Sequence, residues 1–125
     1  MSYNYKDVAR KITKLHILFE RSGLKPGDKV AICGRNSSQW AVAFFGTITY
    51  GCVAVPILNE FKPDTIHHLV NHSEARLLFV DQAIWENMNA DSVPNIDGVL
   101  SINDYSLFEC RNKNLAGRVV PIFKT

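Results

Sequence analysis

The sequence has few cysteines, no apolar run at its N-terminus and almost no excess of charge of either sign. It has only three cysteines among 125 residues, widely spaced and without a C-x-x-C pair, which argues against a disulfide framework or a zinc site. They are expected to be reduced thiols of a cytoplasmic protein. The N-terminus has no apolar run of the kind found in signal peptides. Lys and Arg exceed Asp and Glu by only two (14 against 12), a bias too weak to indicate nucleic-acid binding.

Familiar catalytic and phosphate-binding motifs are also missing. The sequence contains no G-x-S-x-G, no G-x-G-x-x-G, no G-x-x-x-x-G-K-[ST] and no H-E-x-x-H. We therefore predict no catalytic residue, no cofactor-binding residue and no metal ligand in this chain.

One stretch, residues 40–58, carries no charge over 19 residues and approaches the length of a membrane span. It is interrupted by two glycines, two threonines and Pro56, and its second half is β-branched. A core helix followed by a buried strand explains this pattern better, so no transmembrane segment is predicted. The helical part is apolar nearly all round, which predicts packing on several sides.

Apolar periodicity and turn residues divide the chain into alternating helices and strands. With 46% hydrophobic residues, residues 1–125 are expected to form a single α/β domain. The order α-β-α-β-α-β-α-β predicts a three-layer, doubly wound, mostly parallel sheet. The predicted helices lie between Asn4 and Gly23 and over 38–50, 63–73 and 82–88; the predicted strands cover 30–33, 52–57, 77–80 and 99–102. Beyond these, a short helix is expected near 105–110 and a β-like segment over 119–123.

Helix ends are marked by capping residues. Asn4 and Ser37 suit the N-terminal caps of the first two helices, and Asp81 suits that of the fourth. Gly23 and Gly51 suit C-terminal positions because glycine tolerates a left-handed backbone.

The loop from Gly34 to Ser38 joins a strand to a helix N-terminus. Its backbone N–H groups could hold an anion, assisted by Arg35. The alternative is a loop with an N-cap and no ligand.

Asp64, His68 and His72 lie four residues apart on one helix face, with His67 adjacent. Two histidines at this spacing can ligate a metal, but no third strong ligand is evident. The alternative is a solvated polar face opposite Ile66, Leu69 and Val70.

Asp81 follows the third strand at the edge where open α/β sheets place ligands. A phosphoacceptor there would need an acidic pair after the first strand to hold Mg²⁺. That place reads Cys33-Gly34-Arg35, so a helix cap is the favoured interpretation.

Five segments together resemble the N-terminal region of the adenylate-forming acyl-CoA synthetases, the AMP-binding enzyme family. Their order and spacing carry the resemblance, which runs from about Tyr5 to Asp81 and weakens through Ile102. The segments read N-Y-K-D (4–7), G-L-K-P-G-D-K-V-A-I (23–32), N-S-S-Q-W (36–40), Y-G-C-V-A-V-P-I (50–57) and S-E-A-R-L-L-F-V (73–80). The details are most similar to long-chain fatty acid–CoA ligases.

This resemblance implies the N-terminal subdomain fold of those ligases and a two-step reaction of a parent enzyme. A fatty acid carboxylate and ATP would give an acyl-adenylate, and the CoA thiol would then displace AMP, with Mg²⁺ offsetting phosphate charge. The family's glycine-rich loop, T-S-G-[ST]-T-G-x-P-K, does not occur in this sequence. The resemblance therefore places ATP, CoA and Mg²⁺ with the parent and no cofactor with these residues.

The expectation is an N-terminal, truncated scaffold portion of a fatty acid–CoA ligase that is inactive alone. Its partners would be the remainder of the ligase and, for the parent, a fatty acid; no nucleic acid is expected. The location implied is cytoplasmic, with a peripheral position at the inner membrane face as a further expectation. The alternative is a free-standing α/β interaction module that forms homo-oligomers through exposed apolar surface.

Overall fold

The computed structural model describes residues 5–35 and 37–110 of the chain, which form alternating helices and strands. The helices are α1 (Tyr5–Ser22), α2 (Ser38–Tyr50), α3 (Pro63–Ser73) and α4 (Gln82–Asn87), followed by a 3₁₀ turn at Ala90–Ser92. The strands are β1 (Lys29–Cys33), β2 (Val53–Ile57), β3 (Leu77–Val80), β4 (Gly98–Ser101) and β5 (Leu107–Cys110). The predictions for Asn4 and for 119–123 fall outside the described residues.

The five strands form one sheet in the order β2-β1-β3-β4-β5. The pairs β1–β2, β1–β3 and β3–β4 are parallel, and β5 alone among these strands pairs antiparallel, with β4. The predicted doubly wound, mostly parallel sheet is confirmed. The short helix predicted near 105–110 is wrong, because Tyr105 adopts a left-handed backbone (φ 60°) and turns the chain back so that β5 pairs with β4.

Helices cover both faces of the sheet, which gives three layers. On one face, Val30 and Ile32 of β1 belong to the same apolar cluster as Leu15 and Phe19 of α1. On the other face, the intervening strand residues pack with buried residues of α3 and with partly buried residues of α4, namely Ala31, Cys33, Ile66, Val70, Ile84 and Trp85. Alternate residues of β1 are therefore buried on opposite faces, as a strand inside a parallel sheet requires.

The helix ends follow the residues that predicted them. Gly23 (φ 82°) ends α1, and the Leu24 N–H donates to Phe19 O at 3.0 Å, closing a Schellman motif that buries Leu24. Ser37 caps α2 by accepting from the Trp40 N–H at 3.1 Å, and Gly51 (φ 97°) ends that helix. These local interactions fix where the loops at the sheet edges begin.

Helix α2 is packed more one-sidedly than its composition predicts. Its buried residues are Val42, Ala43, Gly46 and Thr47. On the opposite side, Phe45 is 50% exposed and Ile48 is 43% exposed. Within the described residues α2 thus packs on α1 and the sheet and leaves an apolar side uncovered.

Arg76 braces the amino-terminal edge of the sheet. Its backbone N–H donates to Lys29 O at 2.8 Å, and its carbonyl accepts from the Asp97 N–H at 2.7 Å. Its guanidinium donates to Asp28 Oδ2 at 3.2 Å and through two nitrogens to the Asp97 carboxylate. The hydrogen bonds and charge of Asp97, with Asp28 adding to them, raise the pKa of Arg76. One side chain therefore joins the starts of three segments at the edge opposite the loops described below.

Strand β2 lies at one end of the sheet, paired with β1 alone among the described strands. The Val53 N–H donates to Asp28 O at 2.8 Å, so Val53 directs its backbone groups inward. Because successive residues alternate, Ala54 and Pro56 direct theirs outward. Pro56 has no N–H, so this edge offers a diminished set of donors.

No helix within residues 5–35 and 37–110 combines the length and the apolarity that crossing a bilayer requires.

Candidate functional site

The carboxyl ends of the parallel strands meet at one edge, where the chain order reverses between β1 and β3. From β1 the chain passes to β2 on one side, and later strands are added on the other. Such a switch point leaves a crevice between two loops and is the usual ligand position in open α/β sheets. The loops that reach this edge begin at Gly34, Leu58, Asp81 and Ile102.

Two adjoining clefts open at this edge. The first, of about 420 Å³, lies between the loops after β1 and β2, against the side of Trp40. The second, of about 590 Å³, lies between Arg35, Asp81 and Asn103. Arg35 and Asn59 line both clefts, so the two clefts are continuous.

Gly34 permits close packing where β1 ends. A Cβ at this position would lie 3.0 Å from Ile102 Cδ1 and 3.4 Å from Asp81 Oδ2. The Asp81 carboxylate therefore sits beside the β1 terminus. Asp81 occupies the N-cap position of α4, yet its side chain makes no capping hydrogen bond. The sequence prediction of a capping side chain is wrong, because the carboxylate lies beside β1.

Cys33 ends β1 beneath this edge and is fully buried. Its thiol Sγ lies 3.9 Å from Leu58 O. Burial first, and the neighbouring Asp81 charge second, raise the pKa of Cys33 to about 12. Burial and the charge of Asp28 likewise raise the pKa of Cys52. Both groups are free thiols held in the protonated form, the state least suited to nucleophilic attack.

The loop after β1 combines Arg35, which is exposed, with the Ser37 cap of α2. The Ser37 hydroxyl accepts from the Trp40 N–H and its carbonyl from the Ala41 N–H at 3.0 Å. The predicted helix N-terminus is therefore in place at the cleft. The anion site remains a hypothesis from the sequence.

The histidines of α3 divide into two kinds. His67 is buried, and its Nε2 accepts from the Asn89 N–H at 3.0 Å, tying α3 to the segment after α4. His68 and His72 are exposed and stack with ring centroids 5.9 Å apart. Asp64 shares their exposed face, and its Oδ1 lies 3.9 Å from His67 Nδ1. No group of three or more metal-ligating side chains occurs in the described part of the chain.

One histidine lies within hydrogen-bond distance of a hydroxyl. His16 Nε2 is 2.9 Å from Thr49 Oγ1 and 3.1 Å from Gly46 O. The Thr49 hydroxyl donates to Phe45 O at 2.6 Å, so the proton between the pair belongs to the imidazole. The contact joins α1 to α2 and does not have the arrangement of a base activating a nucleophile.

Sequence reasoning missed two polar residues that line the second cleft. Asn59 and Asn103 each lie two residues beyond the end of a parallel strand. A polar residue directly after a buried apolar run is the signal that could have found them. Arg35, Asp81 and the two amides can orient a polar group. Among the described residues they do not supply the carboxylate cluster that Mg²⁺ prefers.

Comparison with known proteins identifies relatives of this fold and sequence. The sequence model of the AMP-binding enzyme family matches residues 1–116. Long chain acyl-CoA synthetase 1 of Arabidopsis thaliana is 26% identical over 76 residues, covering 61% of this chain and 12% of that protein. A fatty acid–[acyl-carrier-protein] ligase of Streptomyces coeruleorubidus is 30% identical over 77 residues, covering 62% of this chain and 15% of that protein.

Among solved structures, an anthranilate CoA ligase in complex with anthranoyl-AMP has the same fold. It superposes with a TM-score of 0.76 at 20% identity, covering 95% of this chain and 21% of that one. The chain thus spans 12% and 15% of the length of the two curated relatives above.

Proposed function

The chain belongs to the AMP-binding enzyme family, and from that premise we propose that it is the N-terminal scaffold portion of a longer fatty acid–CoA ligase. In this proposal residues 1–125 form one α/β domain, and the parent enzyme activates a long-chain fatty acid. The family match over residues 1–116 is the observation that carries the proposal. The names of the two curated relatives, one a long-chain acyl-CoA synthetase and one a fatty acid ligase, support the substrate class.

The proposed reaction has two steps. A carboxylate oxygen of the fatty acid attacks the α-phosphorus of ATP, and the bond to pyrophosphate breaks. The CoA sulfur then attacks the acyl carbon, and AMP leaves with the bonding electrons. Family membership implies that the parent uses ATP and Mg²⁺. The described residues do not fit a Mg²⁺ ion, so no step through the metal is assigned to this chain.

The part proposed for this chain is to build and hold one wall of the parent's site. Trp40 and Phe44 stack with ring centroids 5.3 Å apart and planes 9° apart, and Trp40 lines the first cleft. Both rings are half-buried in this chain. Apolar rings beside an open cleft suit a wall against the acyl chain or against the adjoining part of the ligase.

A cytoplasmic location forms part of the proposal. Its support is chemical: Cys33 and Cys52 are buried free thiols, a state that a reducing compartment maintains.

The test compares this chain with the product of the longest reading frame that contains it. We expect fatty-acid-dependent ATP–pyrophosphate exchange from the longer product and none from the 125-residue chain. Exchange by the chain alone would overturn the scaffold role. A longer product that exchanges with aryl acids but with no long-chain fatty acid would overturn the substrate class. Transfer of the acyl group to a carrier protein in preference to CoA would overturn the proposal that CoA is the acceptor.

The wall is tested in the same longer product. Trp40→Ala and Phe44→Ala should change the preference among fatty acids of different length. Trp85→Ala, which alters a half-buried ring stacked on Phe108 at the opposite face of the sheet, is the matched control. Variants that lose stability but keep the same chain-length preference would rule out the wall.

A free-standing interaction module is the second candidate, favoured by the exposed apolar side chains of Phe45 and Ile48. It predicts that the 125-residue chain captures a protein partner while the longer product shows no exchange with any acid.

A further inference from the structure

Charge is unevenly divided between the two faces of the sheet. Helix α1 carries five Lys or Arg against two Asp or Glu, and its neighbour α2 carries no charged residue. On the opposite face, α3, α4 and the 3₁₀ turn carry three acidic residues and no Lys or Arg. The chain as a whole is almost neutral, with a formal charge of +2, so the asymmetry is a property of the fold.

Four of the five basic residues of α1 share one stripe, and Lys11 lies outside it. Lys6, Arg10 and Lys14 are spaced by four residues, and Ile17 and Arg21 continue the same side of the helix. This stripe lies opposite the side that Leu15, Leu18 and Phe19 bury in the core. Lys6, Arg10 and Arg21 are exposed, and Ile17 is 36% exposed among them. We call these five residues the cationic stripe.

Exposed apolar side chains lie in the same layer. On α2, Phe45 and Ile48 are 50% and 43% exposed on a helix without charge. A surface that mixes basic side chains with protruding Ile and Phe matches the interface of an anionic bilayer. Basic groups are attracted by acidic headgroups, while apolar groups enter the headgroup boundary. A nucleic-acid duplex would contact the basic groups through its phosphates but would leave the exposed Ile17 and Ile48 side chains without an apolar partner.

We propose that the outer face of the α1/α2 layer docks on an anionic lipid bilayer through the cationic stripe and Phe45. The acidic helices on the opposite face orient the molecule, because a negatively charged plane repels them while it attracts α1. The proposal does not rest on the ligase activity, and its test needs no ATP.

The test is co-sedimentation of the 125-residue chain with phosphatidylcholine vesicles that contain about 30% phosphatidylserine. We expect binding at about 0.1 M salt, its loss at about 1 M salt, where the Debye length falls to about 3 Å, and none to pure phosphatidylcholine. The double variant Arg10→Gln/Arg21→Gln should bind about 25-fold more weakly, since each basic group near such a surface contributes about fivefold.

Three variants separate the stripe from total charge. Arg35→Gln/Lys62→Gln removes the same charge from exposed positions outside the stripe and should alter binding by less than about twofold. Thr13→Lys adds a charge at an exposed position of α1 and should tighten binding about fivefold. Phe45→Ala should weaken binding about fivefold through lost apolar burial. Thermal melts establish that each variant keeps the fold, and the gain expected from Thr13→Lys does not depend on a damaged protein.

Several outcomes would overturn the proposal. Equal weakening by the Arg35/Lys62 control would show that total charge decides binding. Equal binding to neutral and to anionic vesicles would show that electrostatic attraction does not drive binding. A duplex oligonucleotide bound more tightly than the vesicles would assign the stripe to nucleic acid. Lipid-independent dimers that dissociate in the Arg10/Arg21 variant would assign it to a second copy of the chain.

Discussion

The crossing of α1 and α2 depends on a glycine, and Gly46→Ala tests why. A Cβ at Gly46 would lie 2.9 Å from Leu15 Cδ1 and 3.4 Å from Leu15 Cβ. Leu15 is fully buried, so its side chain has little freedom to move away. Alanine in a helix interior is favoured over glycine by about 1 kcal/mol, whereas overpacking a core costs about 1–3 kcal/mol. We expect Gly46→Ala to lower the free energy of unfolding by about 1 kcal/mol.

The sign of the effect should reverse when the opposing side chain is shortened. Leu15→Ala alone removes buried atoms and should cost about 2–5 kcal/mol. In that background the 2.9 Å contact with Leu15 Cδ1 no longer exists. Gly46→Ala should then stabilise by about 1 kcal/mol through helix propensity. The coupling between the two positions is therefore about 2 kcal/mol.

The assay is urea unfolding of the four proteins of the cycle, followed by tryptophan fluorescence and circular dichroism, with slopes compared to establish that only stability changes. Gly51→Ala is the control. Its backbone φ of 97° penalises any side chain, and its Cβ would meet Pro26 rather than Leu15. It should destabilise equally in both backgrounds. If Gly46→Ala has the same effect with and without Leu15, the close approach does not explain the glycine.

Three further predictions concern charged groups and a thiol. Arg76→Leu should destabilise the chain by about 2–3 kcal/mol in urea unfolding, because it removes the hydrogen bonds that two carboxylates receive; an Arg76→Leu variant as stable as wild type would contradict the brace. In a Cys110→Ser background, disulfide-exchange labelling of Cys33 at pH 8 should proceed only as fast as the chain unfolds, because burial raises the pKa of this thiol to about 12; rapid labelling of the folded chain would refute that. Burial alone would raise the pKa of Asp104, but hydrogen bonds from Ser106 lower it below the ordinary value. Its stabilising effect is thus present above the unfolded pKa and lost as the pH falls through the folded one, so the stability difference between wild type and Asp104→Asn should shrink below about pH 4 and persist at pH 7.

Elements defined by local chemistry were predictable from the sequence. The third strand is Leu77–Val80 as predicted, because four consecutive apolar residues lie between polar neighbours. Ser37 and Gly51 mark the ends of α2 because capping needs only residues adjacent in sequence. The three-layer arrangement followed from the alternation of such elements.

Features set by distant contacts were not predictable in this way. The strand at Leu107–Cys110 forms because it pairs antiparallel with the side of β4 that β3 does not occupy. The register of this pairing shifts between Val99 and Leu100. No periodicity in residues 107–110 reveals that partner. Tyr105 lies in the turn before this strand and has a left-handed backbone. Its hydroxyl donates to Gln39 O at 3.0 Å, and Gln39 lies 66 positions earlier in the chain.

The candidate site was likewise predictable from the sequence only in part. Arg35 and Asp81 could be named from the sequence because each lies within two residues of the end of an apolar run. The direction of the Asp81 carboxylate could not, since it depends on the absence of a side chain at Gly34, directly after the neighbouring strand β1. Asn59 and Asn103 line the cleft only because parallel strands bring their loops to one edge.

Pro56 in β2 makes the two edges of the sheet unequal as sites where a further strand could pair. Of the two β2 residues whose backbone groups point away from β1, only Ala54 has an N–H. An additional strand at this edge would therefore lack a hydrogen-bond donor at Pro56. Addition of strands, whether from a longer polypeptide or through misassembly, is thereby steered toward the β5 end. A single proline thus makes the β2 edge a poorer template for an added strand than the β5 edge, which within the described residues pairs only with β4.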